Sequence, residues 1–241
     1  TTSNSSSSSS SNTTTATATT TTTTTLDEDA GATNEEVSGE VFDGYRSRVP
    51  FGIPHPGNIC ESIIMSSVQL PPLSYPRDAL EKQISEGTLS QLQLEGILYA
   101  SQKHREFLPD GRRAGFFVGD GAGVGKGRQM AGIIAENYAR GRTRHLWFSV
   151  STDLARDARR DLDDIGCHGV HVIDGCQALD KKKLFSNDTT DGVVFSTYST
   201  LVSESRGTGK RLTQLLEWCA GAKSSDKKNE FNFQSFDGCI M

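Results

Sequence analysis

The chain has 241 residues, 25 lysines and arginines against 30 acids, a formal net charge of −5, and 34% apolar residues. That charge excludes uniform coating by nucleic acid, and no window holds the roughly 18 apolar residues that a membrane span needs. The five cysteines (Cys60, Cys167, Cys176, Cys219 and Cys239) are odd in number and lack framework spacing, which fits a reducing compartment.

Residues 1–25 are all Ser, Thr, Asn or Ala. They carry neither the arginines of a transit peptide nor the apolar run of a signal peptide. Such a stretch cannot offset its conformational entropy by burial, so a disordered tail is expected. Asp27, Glu28, Asp29, Glu35, Glu36, Glu40 and Asp43 then stand against Arg46 alone, which makes 1–47 a tail with an acidic end suited to a basic partner. Residues 48–76 read as an irregular lead-in, broken by Pro50, Pro54 and Pro56 and again by Pro71, Pro72 and Pro76. Between them Ile63, Ile64, Met65, Val68 and Leu70 fit either one short strand or a surface segment, and His55 reads as a turn residue.

A domain is expected over 77–241. Two helices come first, a short one ending near Gly87 and a longer one from Ser90 to about Phe107, closed by Pro109, Asp110 and Gly111. Ser90 has the hydroxyl of an N-cap. Leu94, Ile97, Leu98 and Ser101 share a stripe that should face the core. Gln93 lies one residue off that stripe, where its amide offers one donor and one acceptor to an adenine edge or simply lines a polar helix surface.

The domain is organised around the stretch FFVGDGAGVGKGRQMAGIIAENYA, 116–139. Phe116, Phe117 and Val118 read as the end of a buried strand. A glycine-dense turn comes next, and Met130, Ile133, Ile134 and Tyr138 then recur at helical spacing. Strand, glycine turn and helix are the parts of a nucleotide-phosphate cradle. The candidate cradle is Asp120, Gly121, Ala122, Gly123, Val124, Gly125, Lys126 and Gly127, with Lys126 reaching the outer phosphates as the catalytic candidate. Two positions depart from the pattern GxxxxGK followed by Ser or Thr. Asp120 stands at the first glycine, and Gly127 stands where a hydroxyl should hold Mg2+. A glycine turn of this kind also suits a dinucleotide, but the spacing and single lysine favour a triphosphate. Residues 103–160 hold twelve lysines or arginines against six acids, a charge that fits either nucleic-acid steering or a solvated surface.

Beyond the loop, His145 to Val150 is apolar enough for a central parallel strand. Ser151 and Thr152 offer a cap to a helix from Asp153 to about Ile165. A short strand near Val170 to Ile173, a strong one at Val193 to Phe195 and a helix over 210–220 come after it. Thr197 sits at the carboxyl end of the strong strand, the edge where open α/β sheets bind ligands. The alternation predicts an α/β fold, a parallel sheet with crossover helices. Cys167, His168, His171 and Cys176 are crowded but lack finger spacing, so zinc is not expected. Asp174 follows a short apolar strand and reads as a turn aspartate, with a remote metal role as the alternative. Phe236 to Met241 reads as a strand just beginning. With Thr1 in place of a methionine at the other end, a fragment is expected.

These residues resemble the strawberry notch family, a helicase-like branch of superfamily 2. GFFVGDGAGVGKGRQMAGII, 115–134, is similar to the family's phosphate loop, including the glycine after the lysine, and related remodelling ATPases resemble it in carrying an acid at Asp120. SQLQLEGILYA, 90–100, resembles the adenine-recognising segment, which implies that role for Gln93. LWFSVSTDLARDARRDLDDIG, 146–166, and VVFSTYSTL, 193–201, resemble segments that contact a nucleic-acid backbone in superfamily 2, which implies Ser149, Ser151 and Thr197 as contacts. IPHPGNICESIIMSSVQLPP, 53–72, is also similar, so the likeness spans about 41–241.

The resemblance implies a RecA-like P-loop NTPase fold, incomplete at its C-terminal end, with ATP and Mg2+ as cofactors. It also implies a nuclear protein with nucleic acid or chromatin and transcription-regulatory proteins as partners, and no membrane. An acidic magnesium box and a second lobe with an arginine belong to the family pattern and lie outside these residues, so little ATPase activity is expected of this piece alone. The competing reading is a non-catalytic scaffold with a degenerate phosphate loop, which Gly127 favours.

Overall fold

The computed structural model describes residues 41–176, 190–202, 204–205, 209–220 and 238–241. Residues 1–40, the lysines at 181–183 and residues 221–237 lie outside them. β1 (Phe42–Gly44) and β2 (Cys60–Ser62) pair antiparallel, and α1 (Ile63–Ser66) comes next as a single turn with Ile63, Ile64 and Met65 exposed. This segment is tied to the domain at several points, among them one buried carboxylate. Glu95 accepts from the Tyr45 hydroxyl at 2.6 Å, the Arg48 amide at 2.8 Å and the Arg48 guanidinium at 3.1 Å.

A turn of 3-10 helix at Asp78–Leu80 leads into α2 (Glu81–Glu86), which Gly87 ends in the left-handed conformation. α3 (Gln91–Lys103) starts where the sequence predicts. The Ser90 hydroxyl accepts from the Gln93 amide, and the Gln93 side chain accepts in return from the Ser90 amide, a reciprocal capping box. The helix stops at Lys103, short of the predicted Phe107. There the backbone turns into a tight bend instead: the Ala114 amide donates to Glu106 and the Leu108 amide to Arg112, around Pro109, Asp110 and Gly111.

α4 (Lys126–Ala139) packs across α3, and the crossing is close because two glycines face it. A Cβ on Gly132 would lie 2.2 Å from Ile97 Cδ1, and one on Gly96 would lie 2.3 Å from Gln129 Oε1. Leu94, Ile97, Leu98, Ala131 and Ile134 are all buried there. Each large one contributes about 1.5–3 kcal/mol relative to exposure.

The sheet is parallel, with β3 (Arg144–Ser149), β5 (Gly192–Thr197) and β4 (Val172–Asp174) in the order β3-β5-β4. Every residue of β5 is buried, as a central parallel strand requires. Residues 239–241 dock on the other side of β3: Leu146 donates to Cys239 at 2.9 Å, and Met241 donates back to Leu146 at 2.9 Å. α5 (Leu154–Asp164) covers the sheet beside α4, and its N-cap is Asp153, without a side-chain cap; Ser151 Oγ accepts from the Asp153 amide instead. α6 (Tyr198–Leu201) is a short turn after β5, β6 (Glu204–Ser205) and β7 (Gly209–Lys210) form a small antiparallel ribbon, and α7 (Arg211–Ala220) buries Leu215, Trp218 and Cys219. Leu212, in the first turn of this helix, is exposed.

One predicted element is absent. Phe116 to Val118 form no strand, and Phe117 is 88% exposed. A strand exists only through a ladder, and among the described residues nothing lies alongside to pair with this segment.

Candidate functional site

The phosphate loop runs from Gly119 to the start of α4, and its shape is set by two glycines with positive φ. Gly123 has φ 84° and Gly125, the N-cap of α4, has φ 83°. Apart from the adjoining residues, no described atom lies within 4 Å of where a Cβ would sit on Gly121 or Gly123, so space is open beside the loop at these two positions. The first amides of α4 have no partner within the helix and point out of its positive end. Lys126 Nζ folds back over the loop, donating to the Asp120 and Gly121 carbonyls at 2.7 Å each. Open glycine backbone, helix terminus and ammonium at one place fit a phosphate chain. They fit the anion better than the metal, because Gly127 adds no oxygen.

Gln93 is brought to this loop but is not free to roam. It is 5% exposed; its Oε1 is committed to the Ser90 amide at 3.1 Å, and its Nε2 donates to the Val124 carbonyl at 3.3 Å. A Cβ on Gly125 would lie 2.5 Å from that Nε2, so the bare backbone at Gly125 is what admits the amide. Ala122 and Val124 complete the turn, with Val124 buried.

Asp120 is held from beneath. Its Oδ2 accepts from the amide of Gln129, itself almost wholly buried between α3 and α4. Motif and spacing do not single out Gln129, although it lies four residues before Ile133 on the buried arc of α4. A polar residue on an apolar arc is the one signal that could have found it.

Asp161 is the second residue that spacing misses. It reaches from α5 to Gly127, and burial, foremost, raises its carboxyl from the ordinary value, with Arg160 and Arg128 pulling the other way. A cleft of about 410 Å³ lies by the start of α3, lined by Tyr45, His55, Asn58, Cys60, Gln91 and Leu92, with His55 Nδ1 3.0 Å from Ser90 Oγ. His55 is thus fixed to the cap of α3.

Ser149 and Thr197 are in register at the carboxyl ends of β3 and β5, and Ser151 lies two residues beyond Ser149, so the three predicted contacts share one edge of the sheet. Thr197 Oγ1 is within 2.9 Å of the Ser199 and Thr200 hydroxyls. Asp174 ends β4 at the opposite outer edge, with β5 between it and β3. Among the described residues no three His, Cys, Asp or Glu side chains gather as a metal set. His168 is taken by Asp163 at 3.0 Å. Arg112, Arg128, Arg140, Arg142, Arg159 and Arg160 each pair with an acid, so much of the local basic charge is used within the fold. No helix among the described residues is long and apolar enough to cross a membrane.

A parallel α/β sheet with crossover helices and a glycine loop delivering a lysine to a helix N-terminus defines the P-loop NTPase fold. Residues 54–228 match the family model described as P-loop containing NTP hydrolase pore-1. The chain is 47% identical over 214 residues to "Protein strawberry notch homolog 2" of Mus musculus, covering 87% of this chain and 14% of that protein. It is 49% identical to "Protein strawberry notch homolog 1" of Homo sapiens (71% of this chain, 13% of the relative) and 46% identical to "Protein FORGETTER 1" of Arabidopsis thaliana (80% and 15%). The chain belongs to the strawberry notch family, with the helicase-like P-loop domain of superfamily 2. It spans about a seventh of the length of these relatives. No solved structure matches it.

Proposed function

We propose that this chain carries the ATP-binding part of a Mg2+-dependent, helicase-like ATPase that acts in the nucleus on nucleic acid or chromatin together with transcription-regulatory proteins. The observation that supports it best is the meeting of Lys126, the loop that is open at Gly121 and Gly123, and the α4 N-terminus. In this reading the loop amides bind the phosphates and Lys126 neutralises charge on the outer ones, most strongly as it develops in the transition state. Gln93 lies on the adenine side, and Ser149 and Ser151 face a nucleic-acid backbone from the sheet edge, with Thr197 buried at that edge beside Ser149. The tail of 1–47, the lead-in of 48–76 and the ATPase part of 77–241 are the corresponding division of the chain. Bound ATP would bring Mg2+, whose chemistry is charge neutralisation on the phosphates.

The test is ATP binding and phosphate release by the full-length protein beside Lys126→Ala. Turnover nearly lost in the variant supports the reading. Equal rates overturn it, and tight binding with no release in either protein favours a non-catalytic scaffold, the reading that the missing hydroxyl at Gly127 suggests.

A further inference from the structure

Gly127 is a glycine for a reason that its own backbone does not supply. It lies in the first turn of α4 and is not among the positive-φ glycines. Within a helix, glycine costs about 1 kcal/mol against alanine. What stands where a side chain would begin is Asp161. A Cβ on Gly127 would lie 2.0 Å from Asp161 Oδ2 and 3.1 Å from its Cγ. The space where a phosphate-loop serine or threonine side chain begins is filled by a carboxylate from another helix.

That carboxylate is unlike its neighbours. Asp157 pairs with Arg160 at 2.8 Å, Asp163 with Arg159 at 2.8 Å, and Asp164 with Arg128. Asp161 has only the 3.7 Å approach of Arg160, which is shared with Asp157, and accepts no hydrogen bond among the described residues. Ala158, Leu162 and Ile165 around it are buried, and its own side chain is 16% exposed. A largely desolvated acid with one long ion pair, pressed against the residue after the phosphate lysine, is costly to keep for packing alone.

We infer that Asp161 replaces the absent hydroxyl at Gly127, its carboxylate serving as one oxygen ligand for the divalent cation that accompanies a bound triphosphate. This rests on the proposed phosphate site. Mg2+ is ordinarily held by one or two carboxylates together with substrate phosphates and water, so Asp161 is compatible with a second acid from the magnesium box that the family resemblance implies. A cation next to a helix N-terminus and a lysine also meets positive potential, which a charged ligand offsets and a neutral hydroxyl does not.

The experiment measures the affinity of the full-length protein for a fluorescent ATP analogue in EDTA and in saturating Mg2+. Wild type, Lys126→Ala, Asp161→Asn, Gly127→Ser and the double variant Gly127→Ser with Asp161→Ala are compared, with thermal midpoints recorded for each. In Asp161→Asn the tightening by Mg2+ should fall by at least about tenfold, the scale on which metal-site residues act. Its affinity in EDTA and its midpoint should hold. Gly127→Ser alone should lose stability, since its side chain collides with Asp161. The double variant should regain both the midpoint and the Mg2+ effect through the new hydroxyl. Asp161→Asn with wild-type Mg2+ dependence overturns the inference, as does a double variant that recovers its midpoint but not the Mg2+ effect. Failure of the phosphate site itself looks different: wild type and Lys126→Ala then bind equally weakly in both buffers, and both conclusions fall.

Discussion

Gly96 of α3 and Gln129 of α4 touch where the two helices cross, with only 2.3 Å between the Gln129 Oε1 and the place a Cβ would take. Because Gly96 has no side chain, Gln129 can lie flat in the crossing and reach Asp120 at the head of the phosphate loop. Gly96→Ala sets two effects against each other. Helix propensity favours alanine by about 1 kcal/mol. Overpacking costs about 1–3 kcal/mol, and loss of a hydrogen bond to a charged group costs about 1.5–3 kcal/mol. Gln129 is too enclosed to swing away, so the variant should be less stable by about 1–3 kcal/mol in urea unfolding, with weaker nucleotide binding. Unchanged values of both would show that the crossing is soft.

His104 gives a pH dependence. Among the described residues its buried Nδ1 has no hydrogen-bond partner, and burial, reinforced by Arg113 and Arg142 and opposed by Glu136, holds its pKa below the usual histidine value. The folded state therefore favours neutral imidazole. The stability this contributes is complete above the unfolded value of about 6.5 and is lost as pH falls from there through the lower folded value. Denaturant unfolding from neutral to mildly acidic pH should show wild type losing stability more steeply than His104→Asn. Parallel curves would assign the acid sensitivity elsewhere.

Much of the fold was readable from the chain because its signals are local. Ser90 caps α3, Gly87 ends α2, and the apolar run through Leu146 and Trp147 makes a parallel strand, each from residues within a few positions. Phe116 to Val118 misled because a strand needs a partner, and apolar sequence does not say where that partner comes from. The site was legible as far as backbone goes: glycines, lysine and helix start. Gln129 and Asp161 were not, since each matters through a glycine of another element (Gly96 and Gly127), and a contact between distant residues leaves no spacing to read.

The cysteines should divide by burial. Burial pushes the Cys239 thiol up to about 11 and the Cys219 thiol up to about 12, and Cys176 is also buried, while Cys60 is exposed. The thiolate is the reactive form, so brief treatment of the native protein with iodoacetamide at neutral pH should modify Cys60 first. Cys239 and Cys219 should react only after unfolding. Peptide mass spectrometry reads the order, and early labelling of Cys239 would mean that residues 239–241 leave β3 readily.

Gln93 links the cap of α3 to the phosphate loop through its two amide atoms, and these can be separated by substitution. In Gln93→Glu an oxygen still accepts from the Ser90 amide, and a carboxylate suits the helix N-terminus, so α3 should keep its start. The other atom changes from a donor to an acceptor and now faces the Val124 carbonyl, so the loop loses its tie. The thermal midpoint should stay close to wild type while ATP affinity falls about tenfold, the worth of one hydrogen bond near a charge. Gly125→Ala should act in the same direction, because its Cβ would meet Gln93 Nε2 at 2.5 Å on a backbone with φ 83°. Inorganic tripolyphosphate separates the two roles open to this residue. If Gln93 acts by holding the loop, Gln93→Glu weakens tripolyphosphate and ATP alike, which is the result expected from the contacts it makes. A loss confined to ATP would instead mean that the amide turns from Val124 to the adenine when nucleotide binds.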